Sequence, residues 1–141
     1  MKEVCIKQIQ SRKELDCVLE LCYRVLGQTN QELYGVDAWV KRLEDGKQPL
    51  VYAEQNGQAV AAVLGRAESE ESLIIGFVAC HEDYRGQGIT RALMEEFEKK
   101  ARAQGFQYIT LGSRADAFYE KCGYKVIFQT HGQNIYQKML G

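Results

Sequence analysis

The spacing of apolar and polar positions changes several times along the chain, and each change marks an element. Residues 4–9 alternate weakly and predict a first strand. From Ser11 the period lengthens: Leu15, Val18, Leu19, Cys22 and Leu26 fall on one helical face. Ser11 with Glu14 three residues on is a capping-box signature, and Gly27 supplies the stop, so a helix to Leu26 is predicted. A second, shorter helix over 37–44 would bury Trp39, Val40 and Leu43, and Pro49, the single proline, ends that region.

Two strand-like runs, 50–54 and 59–66, flank Gln55-Asn56-Gly57-Gln58, where Asn-Gly is a strong hairpin signal because both residues tolerate positive φ. The acidic break Glu68-Ser69-Glu70-Glu71 precedes an apolar strand over 73–80. After Gly88 a long helix presents Ile89, Leu93, Phe97 and Ala101 on one face, with Glu95, Glu98, Lys99 and Arg102 expected in solvent and Gly105 closing it. A strand over 108–111, a short helix over 115–121 and a terminal hairpin, 124–130 with 134–140 around Gly132, complete the chain. The order β-α-α-β-β-β-α-β-α-β-β predicts one α/β domain over residues 1–141, in the α+β mixed-sheet sense. Its central sheet would have an antiparallel half and a parallel crossover through the long helix, flanked by helices on both faces.

Composition narrows the partners. The chain has 141 residues with 45% hydrophobic and 26% charged positions, enough for one core without staples. A net charge of −1 gives no general nucleic-acid footprint. No apolar run reaches the ~18–20 residues of a membrane span. The start, Met1-Lys2-Glu3-Val4-Cys5, lacks the apolar core of a signal peptide. Cys5, Cys17, Cys22, Cys80 and Cys122 form no CxxC pair and read as buried small hydrophobes in a reducing compartment. They suggest no zinc site or other metal, and the expected location is the cytoplasm. The oligomeric state is not readable, a homodimer being one option.

The stretch with most chemistry is Tyr84-Arg85-Gly86-Gln87-Gly88-Ile89-Thr90-Arg91, which joins the apolar strand to the long helix. Two glycines let the backbone approach a ligand closely, and a helix start leaves N–H groups without intrahelical partners. Together they make an anion site, suited to a phosphate or pyrophosphate. A nucleotide-triphosphate P-loop fits poorly, since no Lys-Ser or Lys-Thr pair follows the glycines. A dinucleotide fingerprint fits poorly too, because Gly86-x-Gly88 lacks a third glycine. A tight turn that merely starts a helix is the remaining structural alternative.

Arg85-Gly86-Gln87-Gly88-Ile89-Thr90 resembles the acyl-CoA motif Q/R-x-x-G-x-G/A of the GNAT superfamily of N-acetyltransferases, departing from it at Thr90. The lead-in from Val78 to Tyr84 and the downstream run Phe118-Tyr119-Glu120-Lys121-Cys122-Gly123-Tyr124 are similar to that family as well. The resemblance implies acetyl-CoA as co-substrate. The amides of Gly86, Gln87, Gly88, Ile89, Thr90 and Arg91 would hold its pyrophosphate, with Arg85 and Arg91 adding charge. The backbone of Val78, Ala79 and Cys80 would pair with the pantetheine arm like an added strand.

The resemblance further implies acetyl transfer to a primary amine by direct attack in a ternary complex, with Tyr119 as general acid. A phenol near its ordinary pKa of ~10 stays protonated at neutral pH. The same tyrosine could instead pack the last helix on the sheet. The base is open: Glu70 and Glu71 lie at the strand's start, the nearer position carries Ile74, and His81 is an alternative with a solvent or packing role. Cys122 with His131 as a nucleophilic pair is a further, less favoured option. Ser113 and Arg114 could contact substrate or form a turn. Tyr23, Tyr34, Trp39, Tyr124 and Tyr136 could line an aromatic pocket for an amine cation. The acceptor would be a small-molecule or peptide amine. A catalytically silent acyl-CoA-binding or sensor module of the same fold is the alternative function.

Overall fold

The computed structural model describes residues 3–27, 29–114 and 116–141. The chain runs β1 (Cys5–Gln8), α1 (Arg12–Leu26), α2 (Gln31–Tyr34), α3 (Val36–Asp45), β2 (Leu50–Gln55), β3 (Gln58–Ala67) and β4 (Ser72–Cys80). A 3-10 turn, Glu82–Tyr84, leads to α4 (Ile89–Ala103), β5 (Tyr108–Ser113), α5 (Asp116–Lys121), β6 (Lys125–Thr130) and β7 (Gln133–Met139). Among the described residues the strands form one sheet in the order β1-β2-β3-β4-β5-β7-β6. Only β4 and β5 are parallel; α4 makes the crossover between them. The expected mixed sheet is therefore present, with α2 and the 3-10 turn as additions. Four-residue α2 has no apolar period to announce it.

Local signals set several boundaries. Ser11 Oγ accepts from the Glu14 amide at 3.1 Å, and Glu14 Oε1 accepts from the Gln10 amide at 3.0 Å, closing the cap of α1. Asn56 at φ 52° and Gly57 at φ 77° form the tight turn between β2 and β3. The final helix begins at Asp116, so the part of its predicted span at Ala115 lies outside the described residues.

The sheet divides the core in two. On one face α4 packs with Val63, Leu73, Ile75, Phe97, Tyr119, Tyr124 and Tyr136. On the other α1 and α3 pack with Leu64, Trp39, Phe77 and Ala79. β4 serves both faces because its pairing slips by one residue. Leu64 opposes Phe77 while the next residue, Gly65, opposes Ile75, which leaves Gly76 as the extra residue. Leu73 and Ile75 thus face α4, whereas beyond the bulge Phe77 and Ala79 face α1 and α3, and Val78 and Cys80 turn to the α4 side. Glycine is needed there for space, since a Cβ at 76 would lie 2.6 Å from Tyr34 Cε1 and 3.1 Å from Trp39 Cη2.

Three expectations are corrected. Glu98 is buried, not solvated, because the core stripe of α4 widens to include Met94 and position 98. Leu26, the last residue of α1, is exposed while Leu21 is buried. Cys5 and Cys17 are exposed and only Cys22 is fully buried, since Cys5 lies on the outermost strand and Cys17 off the buried face of α1; all five thiols are free. No described helix is long and apolar enough to cross a membrane.

Candidate active site

The site begins where β4 loses a neighbour. β4 has nine residues, but only Ser72, Leu73 and Ile74 pair with β5. Past Ile74 the two strands part, and the edge of β4 that faced β5 is left without a ladder partner there. The chain then makes the 3-10 turn and passes through Gly86 at φ 76° and Gly88 at φ 80°. A Cβ at either position would meet nothing within 4 Å, so conformation, not space, requires glycine.

That left-handed passage launches α4 without a side-chain cap and without an acidic residue in its first turn. The first-turn amides keep their donors, and the positive end of the helix dipole is not neutralised. Arg85 is exposed, and exposed Arg91 sits 3.9 Å from Glu95, one turn along.

A cavity of about 530 Å³ lies against this junction. Val78 and Cys80 form one wall; Arg85, Gly86, Gly88, Ile89, Thr90 and Arg91 form the floor; Tyr119 closes it. Nine of the predicted site residues therefore converge. The side chains of the other two point elsewhere: Ala79 is buried on the α1 face, and Gln87 Nε2 donates to Asp83 O at 3.3 Å. Val25, Tyr84 and Phe118 also line the cavity and were not anticipated. Tyr84 could have been found from its place just before the glycines; its hydroxyl donates to Gln55 Oε1 and its ring meets His81 edge-on.

Tyr119 is 6% exposed, with ring centroids of Phe118, Tyr136 and Tyr124 at 5.0, 5.6 and 6.1 Å. Burial pushes its phenol up to about 12. It is consequently a neutral donor across the physiological range. Its helix is held from behind. Lys138 Nζ donates to Cys122 O at 2.7 Å and to Glu98 Oε1 at 2.8 Å, while Tyr124 Oη donates to Glu98 Oε2 at 2.9 Å. One buried carboxylate thereby ties α4 to β7 and to the end of α5. Charge accounts for the burial of Glu98, because both of its oxygens are satisfied.

The candidate bases are elsewhere. Glu70 and Glu71 are exposed at the bend before β4, and the half-buried His81 spends Nδ1 on the Asp83 amide at 3.1 Å. No carboxylate or imidazole lines the cavity among the described residues. Burial also pushes the Cys122 thiol up, opposite to what a thiolate nucleophile needs, and His131 sits at the β6–β7 turn with Nδ1 2.9 Å from Thr130 Oγ1. Ser113 is the last residue of β5, and Arg114 Nε donates to Gly132 O at 3.3 Å. The five aromatic residues expected in one pocket are split by the sheet: Tyr23, Tyr34 and Trp39 lie on the α1 face, Tyr124 and Tyr136 on the α4 face.

A free strand edge running into an uncapped, glycine-launched helix sets open backbone groups beside an anion-binding helix start. Residues 13–124 match the acetyltransferase (GNAT) family, and the chain belongs to it. An acetyltransferase of Pectobacterium atrosepticum is 32% identical over 92 residues, covering 62% of this chain and 64% of that protein. The chain thus aligns with somewhat under two thirds of the length of that curated relative. Among solved structures, an acetyltransferase from Streptococcus agalactiae superposes with a TM-score of 0.77 at 21% identity, covering 96% of this chain and 98% of that one. The PaiA N-acetyltransferase of Thermoplasma acidophilum, solved in complex with coenzyme A, gives 0.78 at 16% identity, covering 97% and 99%. These two likenesses speak to the fold.

Proposed function

We propose that the chain is an acetyl-CoA-dependent N-acetyltransferase that moves acetyl to a primary amine by direct transfer in a ternary complex. The observation that carries this reading is the convergence of Val78, Cys80, the Gly86–Gly88 loop, the start of α4 and Tyr119 on one cavity. The donors fit the co-substrate: first-turn amides and a cationic rim suit a pyrophosphate, and an unpaired strand edge suits an amide-bearing arm. Coenzyme A bound to a relative of the same fold supports the same guest. When bound, the thioester supplies the acetyl group.

The protein's own residues then position and protonate. The amides of residues 86–91 hold the phosphates, and the backbone of Val78, Ala79 and Cys80 aligns the arm along β4. The neutral amine forms the new C–N bond as the C–S bond breaks. Tyr119 donates its proton toward the departing sulfur, and the ammonium formed on the acceptor gives one up, so charge balances. The phenol at about 12 lies above an ordinary thiol at ~8.5, so its part is mainly a hydrogen bond that strengthens as charge builds on sulfur. With no carboxylate or imidazole lining the cavity, the acceptor enters as the free amine or loses its proton to water.

Thiol release from acetyl-CoA across a panel of amines tests the reading: amine-dependent release is the expected result. The lack of an obvious base also favours a second reading, a silent acyl-CoA-binding module. Saturable CoA binding with no release on any amine would establish that one instead.

A further inference from the structure

On the face of the sheet opposite α4, two arginines converge on one aromatic stack. Tyr34 lies over Trp39 at 5.8 Å with 18° between the rings. The Arg42 guanidinium sits 4.5 Å from the Trp39 centroid and 5.8 Å from that of Tyr34. The Arg66 guanidinium comes from β3 to 5.7 Å from the same Tyr34 ring, its Nε 3.4 Å from the tyrosine hydroxyl. Neither guanidinium has an ion-pair partner among the described residues. Burial and the charge of Arg66 both press the pKa of Arg42 down. Cation–π contact explains the stacking, at about 0.5–2 kcal/mol each, and among the described residues only Arg66 Nε of the in-plane N–H donors is spent, on the Tyr34 hydroxyl. One of the remaining guanidinium donors, Arg42 Nη1, is buried without a partner, as is the indole Nε1 of the fully buried Trp39. The benzo edge of that indole lies against the Gly76 bulge. Converging cations with unspent donors ask for an oxyanion.

We propose that the Arg42–Arg66 pair forms a carboxylate-binding subsite that holds an acidic group on the acceptor, so that the acceptor is an amine that also bears a carboxylate. The acceptor half rests on the acetyl-transfer reading above; the anion half does not. The position suits it. The stack adjoins Gly76, while Val78, two residues along β4, lines the donor cavity. Two residues of strand span about 7 Å. Past Ile74, β5 no longer pairs with β4.

Trp39 is the only tryptophan, so its indole N–H resonance reports this subsite alone. Succinate and inorganic phosphate are titrated into the wild-type protein and into Arg66→Gln and Arg42→Gln, with thermal melts confirming folding. Acetylation of an ω-aminoalkanoate is compared with that of the alkylamine of equal length, and CoA binding is measured in parallel. The expected result is a saturable indole shift with succinate that either substitution abolishes. Preference for the aminoalkanoate, roughly tenfold or more in kcat/KM, is lost in Arg66→Gln while CoA affinity is kept. No succinate shift, a shift with phosphate alone, or a preference that survives Arg66→Gln would overturn the proposal. Failure to bind CoA would instead sink the acetyl-transfer reading and leave the indole titration to judge the anion site.

Discussion

At the scale of single residues, the proposed function rests its acid chemistry on Tyr119. Its hydroxyl is the one proton donor of a side chain that both borders the cavity from α5 and stays neutral through burial. Tyr119→Phe should lower kcat by about 10²-fold and leave CoA affinity nearly unchanged, since the ring that packs against Phe118 and Tyr136 is retained. Unaltered turnover would remove Tyr119 from the reaction. The pH profile follows with a definite sign. An acid must be protonated to act, and raising its pKa from 10.0 to about 12 extends the protonated range upward. Turnover should therefore climb with the free-amine fraction of the acceptor and show no fall below pH ~10 from Tyr119. A plateau near pH ~6.5 would instead reveal a histidine base. Tyr119 was legible from its place after Phe118. Glu98 was not, because a glutamate in a charged helix looks solvated until Lys138, 40 residues away, is folded against it.

At the scale of elements, the proposed function puts binding at the junction of β4 and α4, and a buried cluster around Glu98 joins α4 to β7 and the end of α5. Gly88→Ala puts a side chain at φ 80°, a conformation costing an L-residue about 1–2 kcal/mol. The folded chain relieves that strain by moving the loop off the proposed binding conformation, so CoA should bind roughly tenfold more weakly and the melting temperature should fall by about a few degrees; equal affinity would show that the loop does not hold it. The cluster behaves differently. Lys138→Met leaves the Glu98 carboxylate, whose side chain is 6% exposed, short of its cation. The loss should be roughly 2 kcal/mol in unfolding free energy, less than for a fully buried pair because Lys138 is itself 24% exposed. Chemical denaturation reads it directly, and no change in the midpoint would contradict it. The strands, the long helix and the glycine loop were legible because each has its own period or punctuation. The Gly76 bulge was not: a run of apolar residues carries no mark of where its register slips, and that slip is what turns Val78 and Cys80 toward the cavity.

At the scale of the whole molecule, one sheet separates two kinds of surface. The α4 side carries the donor cavity, and the α1–α3 side carries the arginine-flanked aromatic stack. Between them lies the part of β4 that β5 no longer pairs with. The pattern of elements foretold the sheet and its parallel pair, but it placed five aromatic residues in one pocket that the sheet in fact divides. Side-chain facing across a seven-strand sheet depends on bulges in three pairings, at Ala53/Glu54, Leu64/Gly65 and Val126/Phe128, and these arise from tertiary packing. The central claim is that the cavity of about 530 Å³ at the β4–α4 junction is the coenzyme A site. Calorimetric titration of CoA into the wild-type protein and Gly88→Ala tests it most directly. Saturable binding at a single site, weakened in Gly88→Ala, is predicted; no binding to the folded wild-type chain, or equal binding to both, would contradict it.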